Sequence, residues 1–426
     1  MKNLVSLLLA LLALQSCARV NNKKVTSSPV NESDTASLPH VPPLTPEEVS
    51  YYKRMVGNHL DSTLGRTRFN GSVLVAKNGQ IVYEEYNGFV DPRHKRDSIT
   101  PNTPFHLASV SKTFTGMATL KLWQEGRLNI DDPVSKYLPG FPLEDVTVRL
   151  LLNHRSGIPK YDHYMGEMGW DKHRMVTNQD VLDFLIARHK DIPIGAPNRG
   201  FSYSNTNFAL LALIIEKTSG LPYKDYLKKT FFDPLGMKDS YVFTMADSNR
   251  MVPSFYYSGR PYAFEFLDLV YGDKNIYSTV RDLLKWDQAL QNNTFFKKEI
   301  LDAAYSGYSF EKPGTHNYGL GWRMYLLKNG KKLIYHNGWW HGNRTSFYRM
   351  VDEDATIIAL CNNDCRYVYK VKELADIFGD YMQNQNRYDD DENSHLVRAE
   401  KPAAKRRSHA TAYKKKSSNR RATAKK

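Results

Sequence analysis

A serine and a lysine three residues apart could together perform nucleophilic chemistry. They are Ser109 and Lys112, in the run Ser-Val-Ser-Lys. Residues at this spacing share one face of a helix and lie within contact distance. A serine hydroxyl becomes a useful nucleophile when a nearby base takes its proton, and a partly desolvated lysine can be that base. Alone the signal is weak, since the same spacing also fits an exposed helix start in a lysine-rich chain.

A tyrosine and an asparagine form a second candidate group further along. Tyr203-Ser204-Asn205 precedes a long apolar segment. A tyrosine phenol can relay a proton if neighbouring cations lower its pKa. An asparagine amide can hold a substrate carbonyl and a lysine at the same time. The alternative for Asn205 is that it only caps a helix.

The third candidate group is a triplet at the end of a predicted strand. His336-Asn337-Gly338 is followed by Trp339-Trp340. A glycine here would let a substrate approach the strand edge, whose N–H group could complete an oxyanion hole. The alternative is a surface turn. The two tryptophans could line a substrate groove or pack in the core.

Hydrophobic periodicity and turn residues predict the elements that must position these groups. Two strands joined by Asn78-Gly79 form a hairpin, because this dipeptide favours the type I′ turn. Helices come next and strands return late in the chain, so a doubly wound parallel sheet is disfavoured and an antiparallel sheet with a helical insert fits better. The predicted hairpin strands are 72–77 and 80–84, the helices 109–125, 146–154, 178–189, 205–217 and 280–290, and the late strands 321–326, 332–336, 345–351 and 355–360.

The order and separation of the three groups resemble the serine β-lactamase-like family, which includes class C β-lactamases, penicillin-recognising D-Ala-D-Ala peptidases and related esterases. That family carries Ser-x-x-Lys, then Tyr-x-Asn, then a Lys- or His-headed triplet ending in Gly on a strand. Connecting segments at 151–158, 233–237, 276–283 and 318–322 are also similar to it. The resemblance covers about residues 50–385. It implies an α+β fold, in which helices flank an antiparallel β-sheet and a mainly helical subdomain is inserted.

The resemblance also implies roles for the candidate residues. Ser109 would be the acylated nucleophile, Lys112 its activating partner and Tyr203 the proton relay. The implied reaction is acyl transfer through an acyl-enzyme, with no metal and no organic cofactor. The residues implied in substrate binding are Asn205, His336, Asn337, Gly338 and Trp339, and the oxyanion hole would use the backbone N–H groups of Ser109 and Trp339.

The triplet departs from the pattern of β-lactamases, which usually carry Lys-Thr-Gly or Lys-Ser-Gly. Here both the ammonium and the hydroxyl that would hold a penicillin-type carboxylate are changed, and histidine is a poor fixed cation near neutral pH. We therefore expect a peptidase or esterase that acts on an amide or ester in the cell envelope, rather than an efficient β-lactamase. The alternative is an envelope- or peptidoglycan-binding lipoprotein that keeps the fold but has little turnover.

The net charge of +14 on 426 residues comes mostly from the C-terminus. Residues 398–426 hold 12 lysines and arginines against one acidic residue. Such a stretch cannot fold alone, so we predict a disordered tail over 389–426, first acidic and then basic. Because the charge is confined to a tail without a recognition fold, specific nucleic-acid binding is disfavoured. The tail is either solvated or in non-specific contact with anionic envelope polymers or lipid.

The N-terminus resembles a bacterial lipoprotein signal. Lys2 precedes an apolar run too short to span a bilayer, and Cys17 follows it at a cleavage-like position. We predict a signal peptide over 1–16, lipidation at Cys17, a flexible tether over 17–44 and a hydrolase domain over 45–388. The protein would then be lipid-anchored in the periplasm or outer membrane. The alternative is an ordinary signal peptide with a coincidental cysteine.

Two local features remain. Thr45 and Glu48 predict a capping box at a helix start. Cys361 and Cys365 could form a disulfide or remain free thiols, because spacing alone does not fix the geometry.

Overall fold

The computed structural model describes residues 42–291 and 293–381. The predicted signal peptide, Cys17, nearly all of the tether and the charged tail lie outside the described residues. Among the described helices, none is both long and apolar enough to cross a membrane.

The first helix, α1, covers Pro46–Ser62 and begins as predicted. The Thr45 hydroxyl accepts from the Glu48 amide at 3.2 Å, and the Glu48 carboxylate accepts from the Thr45 amide at 2.8 Å. This reciprocal pair satisfies amides that the first turn leaves open. Val56 and Leu60 are the buried residues of this helix, and they pack against the sheet.

The predicted hairpin is confirmed as β1, Gly71–Lys77, and β2, Gln80–Asn87. Asn78 has φ of 53° and Gly79 φ of 69°, both in the left-handed region that a type I′ turn requires.

The main sheet combines this hairpin with strands from the end of the chain. Its seven strands run in the order β2-β1-β12-β11-β10-β9-β8, and each pair is antiparallel. The late strands are β8 (His316–Tyr318), β9 (Arg323–Leu326), β10 (Lys332–Trp340), β11 (Asn343–Met350) and β12 (Ala355–Cys361). The predicted strand 332–336 is therefore four residues longer, so the whole triplet lies within β10. Two small sheets join β3 (Phe89–Asp91) to β4 (Arg96–Ser98), and β5 (Phe105–His106) to β7 (Ile276–Ser278) and β6 (Tyr241–Val242).

The α-helices after α1 lie between the two halves of the main sheet in sequence, which confirms the α+β prediction with a helical insert. They are α2 (Ser111–Gln124), α3 (Val148–Leu152), α4 (Tyr161–Glu167), α5 (Asn178–Arg188), α6 (Asn205–Ser219), α7 (Tyr223–Leu227), which continues as a π-helix over Lys228–Phe232, α8 (Val280–Gln291) and α9 (Lys298–Ala304). Short 3₁₀ helices cover Leu64–Arg66, Ala108–Val110, Val134–Lys136 and Met245–Asp247, and a longer one covers Arg366–Ile377.

Both faces of the main sheet are buried. Along β1, side chains point alternately to a core on each face. Val73 and Val75 pack with α1 and the 3₁₀ helix Arg366–Ile377. Leu74 and Ala76 face the larger core, which is formed with α2, α6 and α8. Since successive side chains of a strand point to opposite faces, one strand contributes to two cores. Cys361 and Cys365 both stand as free, buried thiols.

Candidate active site

The predicted nucleophile lies in a 3₁₀ turn rather than in the first α-helical turn. Ser109 is the middle residue of Ala108–Val110, and α2 starts two residues later. Ala108 has φ of 48°, a conformation that residues with a Cβ rarely adopt. Such local strain persists only where the surrounding structure holds it in place.

A buried histidine holds this strained residue. The Ala108 amide donates to His106 Nδ1 at 3.0 Å, and His106 Nε2 lies 2.9 Å from Asn275 Oδ1. The Asn275 amide nitrogen in turn donates to the Asp268 and Val270 carbonyls. Burial lowers the pKa of His106 to about 4, so the ring is neutral at pH 7, with its proton on Nε2. In the sequence, His106 has no signal except that it stands three residues before Ser109.

Lys112 is the group closest to the Ser109 hydroxyl. Its Nζ lies 3.1 Å from Ser109 Oγ and donates to the Asp273 carbonyl at 2.8 Å. The side chain is fully buried on α2. The spacing of the Ser-x-x-Lys pair thus brings the two polar atoms into hydrogen-bond contact. The partner carbonyl could not be predicted, because it comes from a segment more than 150 residues away.

Tyr203 lies between two cations. Lys112 Nζ is 5.0 Å and Arg323 Cζ 4.7 Å from the centroid of its ring. Burial alone would raise the pKa of Tyr203, but the charges of Lys112 and Arg323, with hydrogen bonds from Lys112 and Ser109, outweigh it and lower the pKa. A phenol with a lowered pKa next to a serine hydroxyl is suited to accept that hydroxyl's proton. Arg323 opens β9 and was not among the sequence candidates.

The segment 203–205 is fixed from behind by a second buried histidine. His154 Nδ1 accepts from the Ser204 amide at 3.1 Å, and its ring lies 4.4 Å from that of Tyr203. Burial, then the charges of Lys112 and Arg323, lower the pKa of His154 well below its usual value. The neutral ring can therefore act as the acceptor. The family-like segment 151–158 contains this residue.

Asn205 is the first residue of α6 and not its cap, which is Ser204. Its amide nitrogen donates to Asp162 Oδ1 at 3.2 Å. Its Oδ1 is buried without a hydrogen-bond partner among the described residues. Contact between this amide and Lys112, which the sequence suggested, is thus not made here, and the open oxygen remains available to a donor.

Gly338 of β10 allows a close approach between this strand and its neighbours within the protein. A Cβ at this position would overlap Thr345 Oγ1 and lie 2.5 Å from the Leu107 carbonyl oxygen. The missing side chain therefore lets β10 pack against the turn that carries Ser109. Gly338 also lines the pocket, and the approach of a substrate to this strand edge stays a prediction. The Thr345 hydroxyl donates to the same Leu107 carbonyl at 2.7 Å.

His336 lies behind the wall of the site. Its side chain is fully buried, with Nε2 3.2 Å from the Tyr318 hydroxyl and Nδ1 2.8 Å from the Asn337 carbonyl. Burial, then Arg323 and Lys112, lower its pKa well below the usual value, so the ring is neutral. His336 is therefore not among the described residues that line the pocket, and its role in substrate binding stays a prediction. Asn337 faces the site, although its amide nitrogen donates to the Tyr348 hydroxyl at 2.9 Å.

Six of the candidate residues line one pocket of about 600 Å³, whereas Lys112 and His336 are buried behind its wall. Ser109, Tyr203 and Asn205 line it from the helical side, and Gly338 and Trp339 line it from β10. Lys160, Asp162, Glu265 and Arg323 add charged groups, and Trp340 is part of the wall. Such a pocket, with convergent polar groups and perturbed pKa values, is typical of an active site.

The fold and the pocket together define a class: serine hydrolases that perform acyl transfer on an α+β scaffold. A model of the beta-lactamase family matches residues 58–374, and this chain belongs to that family. Penicillin-binding protein 4* of Bacillus subtilis (strain 168) is 34% identical over 344 residues, which cover 75% of each chain. The putative penicillin-binding protein PbpX of the same organism is 29% identical and covers 74% of this chain and 80% of its own. Among solved structures, the octameric penicillin-binding protein homologue from Pyrococcus abyssi superimposes with a TM-score of 0.66 at 26% identity, covering 76% of this chain and 78% of the other.

Proposed function

We propose that this protein hydrolyses an amide or ester through an acyl-enzyme on Ser109, as a peptidase or esterase rather than an efficient β-lactamase. The observation that carries the proposal is the contact of 3.1 Å between Lys112 Nζ and Ser109 Oγ beside a tyrosine whose pKa is lowered. A hydroxyl in this setting can lose its proton at the moment of attack.

In the proposed first half-reaction, Ser109 Oγ attacks the substrate carbonyl carbon and its proton passes to Tyr203. Lys112 and Arg323 stabilise the phenolate form of Tyr203 before this transfer. The tetrahedral intermediate collapses, and the leaving nitrogen or oxygen takes the proton from Tyr203. In the second half, a water molecule gives a proton to Tyr203 and attacks the acyl carbon, and Ser109 Oγ leaves with that proton.

The oxyanion would be held by the backbone N–H groups of Ser109 and Trp339. β9 pairs with β10 only from Lys332 to Tyr335. The rest of β10 pairs with β11 on one side and has no second partner strand in the part of the chain that the structure describes. Such an open strand edge can supply an N–H group to a developing negative charge.

The same geometry supports the expectation that β-lactams are hydrolysed slowly or not at all. A penicillin-type carboxylate would meet no ammonium from the triplet, since His336 is neutral and buried. The cations that line the pocket are instead Lys160 and Arg323. The names of the two relatives from Bacillus subtilis, both called penicillin-binding proteins, support acylation by a penicillin. Acylation by a penicillin without fast turnover is consistent with the missing ammonium and with the names of these relatives.

We also propose that the protein works in the bacterial cell envelope, tethered by a lipid at Cys17. The support is the signal-like N-terminal sequence described above.

A substrate panel tests the proposed activity. Wild type and Ser109→Ala would be assayed with 4-nitrophenyl acetate, a D-Ala-D-Ala peptide and a chromogenic cephalosporin. We expect turnover of the ester or the peptide at least 100-fold above Ser109→Ala, and slow or no turnover of the cephalosporin. Equal rates for the two proteins on all three substrates would refute the proposal.

A further inference from the structure

One aromatic side chain at the lip of the pocket is exposed although two neighbouring groups hold its ring in place. Trp339 is 47% exposed and lines the same pocket as Ser109. Its neighbour Trp340 differs, because its indole N–H donates to Asp268 at 2.7 Å and its ring lies 4.4 Å from Lys274 Nζ. Trp340 is thus part of the wall, and Trp339 presents its ring to the solvent.

A buried arginine fixes the inner face of this ring. Arg344 Cζ lies 4.4 Å from the centroid of Trp339, and the arginine side chain is only 1% exposed. Arg344 is itself held by Asp364, with Nε donating at 2.7 Å. The two residues are also direct cross-strand partners in β10 and β11. The cation–π contact therefore comes from a group that cannot move away easily.

The edge of the ring is fixed as well. Trp339 Nε1 donates to the His341 carbonyl at 3.1 Å. On the same side of the pocket, the Tyr369 hydroxyl donates to the Gly338 carbonyl at 2.7 Å. A rigid aromatic ring loses little conformational entropy when a second ring stacks on it.

From these contacts we propose that the outer face of Trp339 is a stacking subsite for an uncharged ring of the substrate, next to the bond that is cleaved. The inference deepens the proposed function and rests on it. The Arg344 cation already occupies one face and withdraws electron density from the indole, so a second cation is disfavoured on the other face. The flat apolar face of a neutral ring fits best, and it could belong to an aryl side chain or to a sugar ring.

The experiment compares two esters that share the 4-nitrophenyl leaving group and differ only in a phenyl ring on the acyl group. Wild type would be assayed with 4-nitrophenyl acetate and 4-nitrophenyl phenylacetate, and the ratio of their kcat/KM values taken as the ring preference. In Trp339→Ala we expect the preference for the aryl ester to fall by about 3- to 10-fold, since an aromatic pair contributes on this scale beyond buried area. Trp339→Phe keeps a ring and should retain most of it.

Tyr367→Ala is the matched control. Tyr367 is also 47% exposed, but it is outside the set of residues that line the pocket. Its ratio should equal that of wild type. If Trp339→Ala folds poorly, Trp339→Leu, of more similar volume, gives the same comparison without the ring.

Two arms identify the source of the ring. A soluble N-acetylhexosamine oligosaccharide that inhibits wild type but not Trp339→Ala would assign the subsite to a sugar, and a change in the aryl ratio without such inhibition would assign it to an aryl group. Turnover of both esters with the same ratio in all variants, and no inhibition by the oligosaccharide, would overturn the subsite and leave the proposed function standing. Absence of turnover by wild type on any amide or ester would overturn the proposed function and the subsite with it.

Discussion

Replacing Gly338 with alanine should disturb the candidate nucleophile, because β10 packs against the turn that carries Ser109. The new Cβ would overlap Thr345 Oγ1, and it would lie 2.5 Å from the Leu107 carbonyl oxygen and 3.0 Å from Ala108 Cβ. Two of these neighbours are in the turn that carries Ser109. The Thr345 hydroxyl cannot rotate away without losing its bond of 2.7 Å to Leu107.

The magnitude follows from these contacts. Overpacking of a core position costs about 1–3 kcal/mol, and loss of the Thr345 hydrogen bond adds about 1 kcal/mol. We therefore expect Gly338→Ala to lower the free energy of unfolding by about 2–4 kcal/mol. Because the turn must shift to relieve the overlap, we also expect kcat to fall by about 100-fold, as a displacement near 1 Å can cause.

The assay is turnover of 4-nitrophenyl acetate together with urea denaturation. Gly200→Ala is the matched control, because a Cβ there has no other described atom within 4 Å and the residue is close in sequence to Tyr203. The control should change stability by less than about 0.5 kcal/mol. Wild-type kcat and stability in Gly338→Ala would refute the idea that β10 bears directly on the nucleophile turn.

Four further predictions concern other parts of the molecule. Burial lowers the pKa of His106 from 6.5 in the unfolded chain to about 4, so below pH 6.5 protons bind the unfolded state first. As the pH falls from 6.5 to 4, the free energy of unfolding should fall by about 3 kcal/mol from this residue. In His106→Leu, urea denaturation should show a shallower slope of the free energy of unfolding against pH. The variant should also be about 1–3 kcal/mol less stable at pH 7, because the Ala108 amide loses its acceptor. Tyr203→Phe should reduce kcat by at least about 100-fold while circular dichroism stays unchanged, since the proton relay is lost. Cys17→Ser should release the protein from the membrane fraction, whereas deletion of 398–426 should leave kcat on a small ester unchanged.

Each of these has a contrary outcome. A slope against pH equal to that of wild type in His106→Leu would show that the histidine is not the titrating group. Near-normal turnover in Tyr203→Phe would assign the base to Lys112 alone. Membrane association of Cys17→Ser would mean that something other than lipid holds the protein, and loss of kcat on tail deletion would make the tail part of the site.

Local signals were sufficient for the hairpin, for the longer helices and late strands, and for the serine–lysine contact. The capping box at Thr45 and the Asn78-Gly79 turn depend on neighbouring residues only, and so does the spacing from Ser109 to Lys112. Their geometry is set by the backbone of one hairpin, one helix start, or one continuous segment that changes from a 3₁₀ turn to an α-helix between Ser109 and Lys112.

Tertiary contacts decided the rest. Arg323 reaches Tyr203 from β9, and His106 is bonded to Asn275, 169 residues away, so neither could be found by spacing. The triplet was found, but the burial of His336 and the reason for Gly338 depend on which element packs against β10. A motif fixes which residues are on a strand, whereas the partners of that strand fix what each residue touches.

The identity of the nucleophile is the central claim, and covalent labelling tests it most directly. Wild type, Ser109→Ala and Ser111→Ala would be incubated with a fluorophosphonate and with a penicillin, and the modified peptide identified by mass spectrometry. Ser111 is the control because it is fully buried and its hydroxyl accepts from the Ile276 amide. We predict one modification, on Ser109, in wild type and Ser111→Ala, and none in Ser109→Ala. Equal labelling of Ser109→Ala would contradict the account.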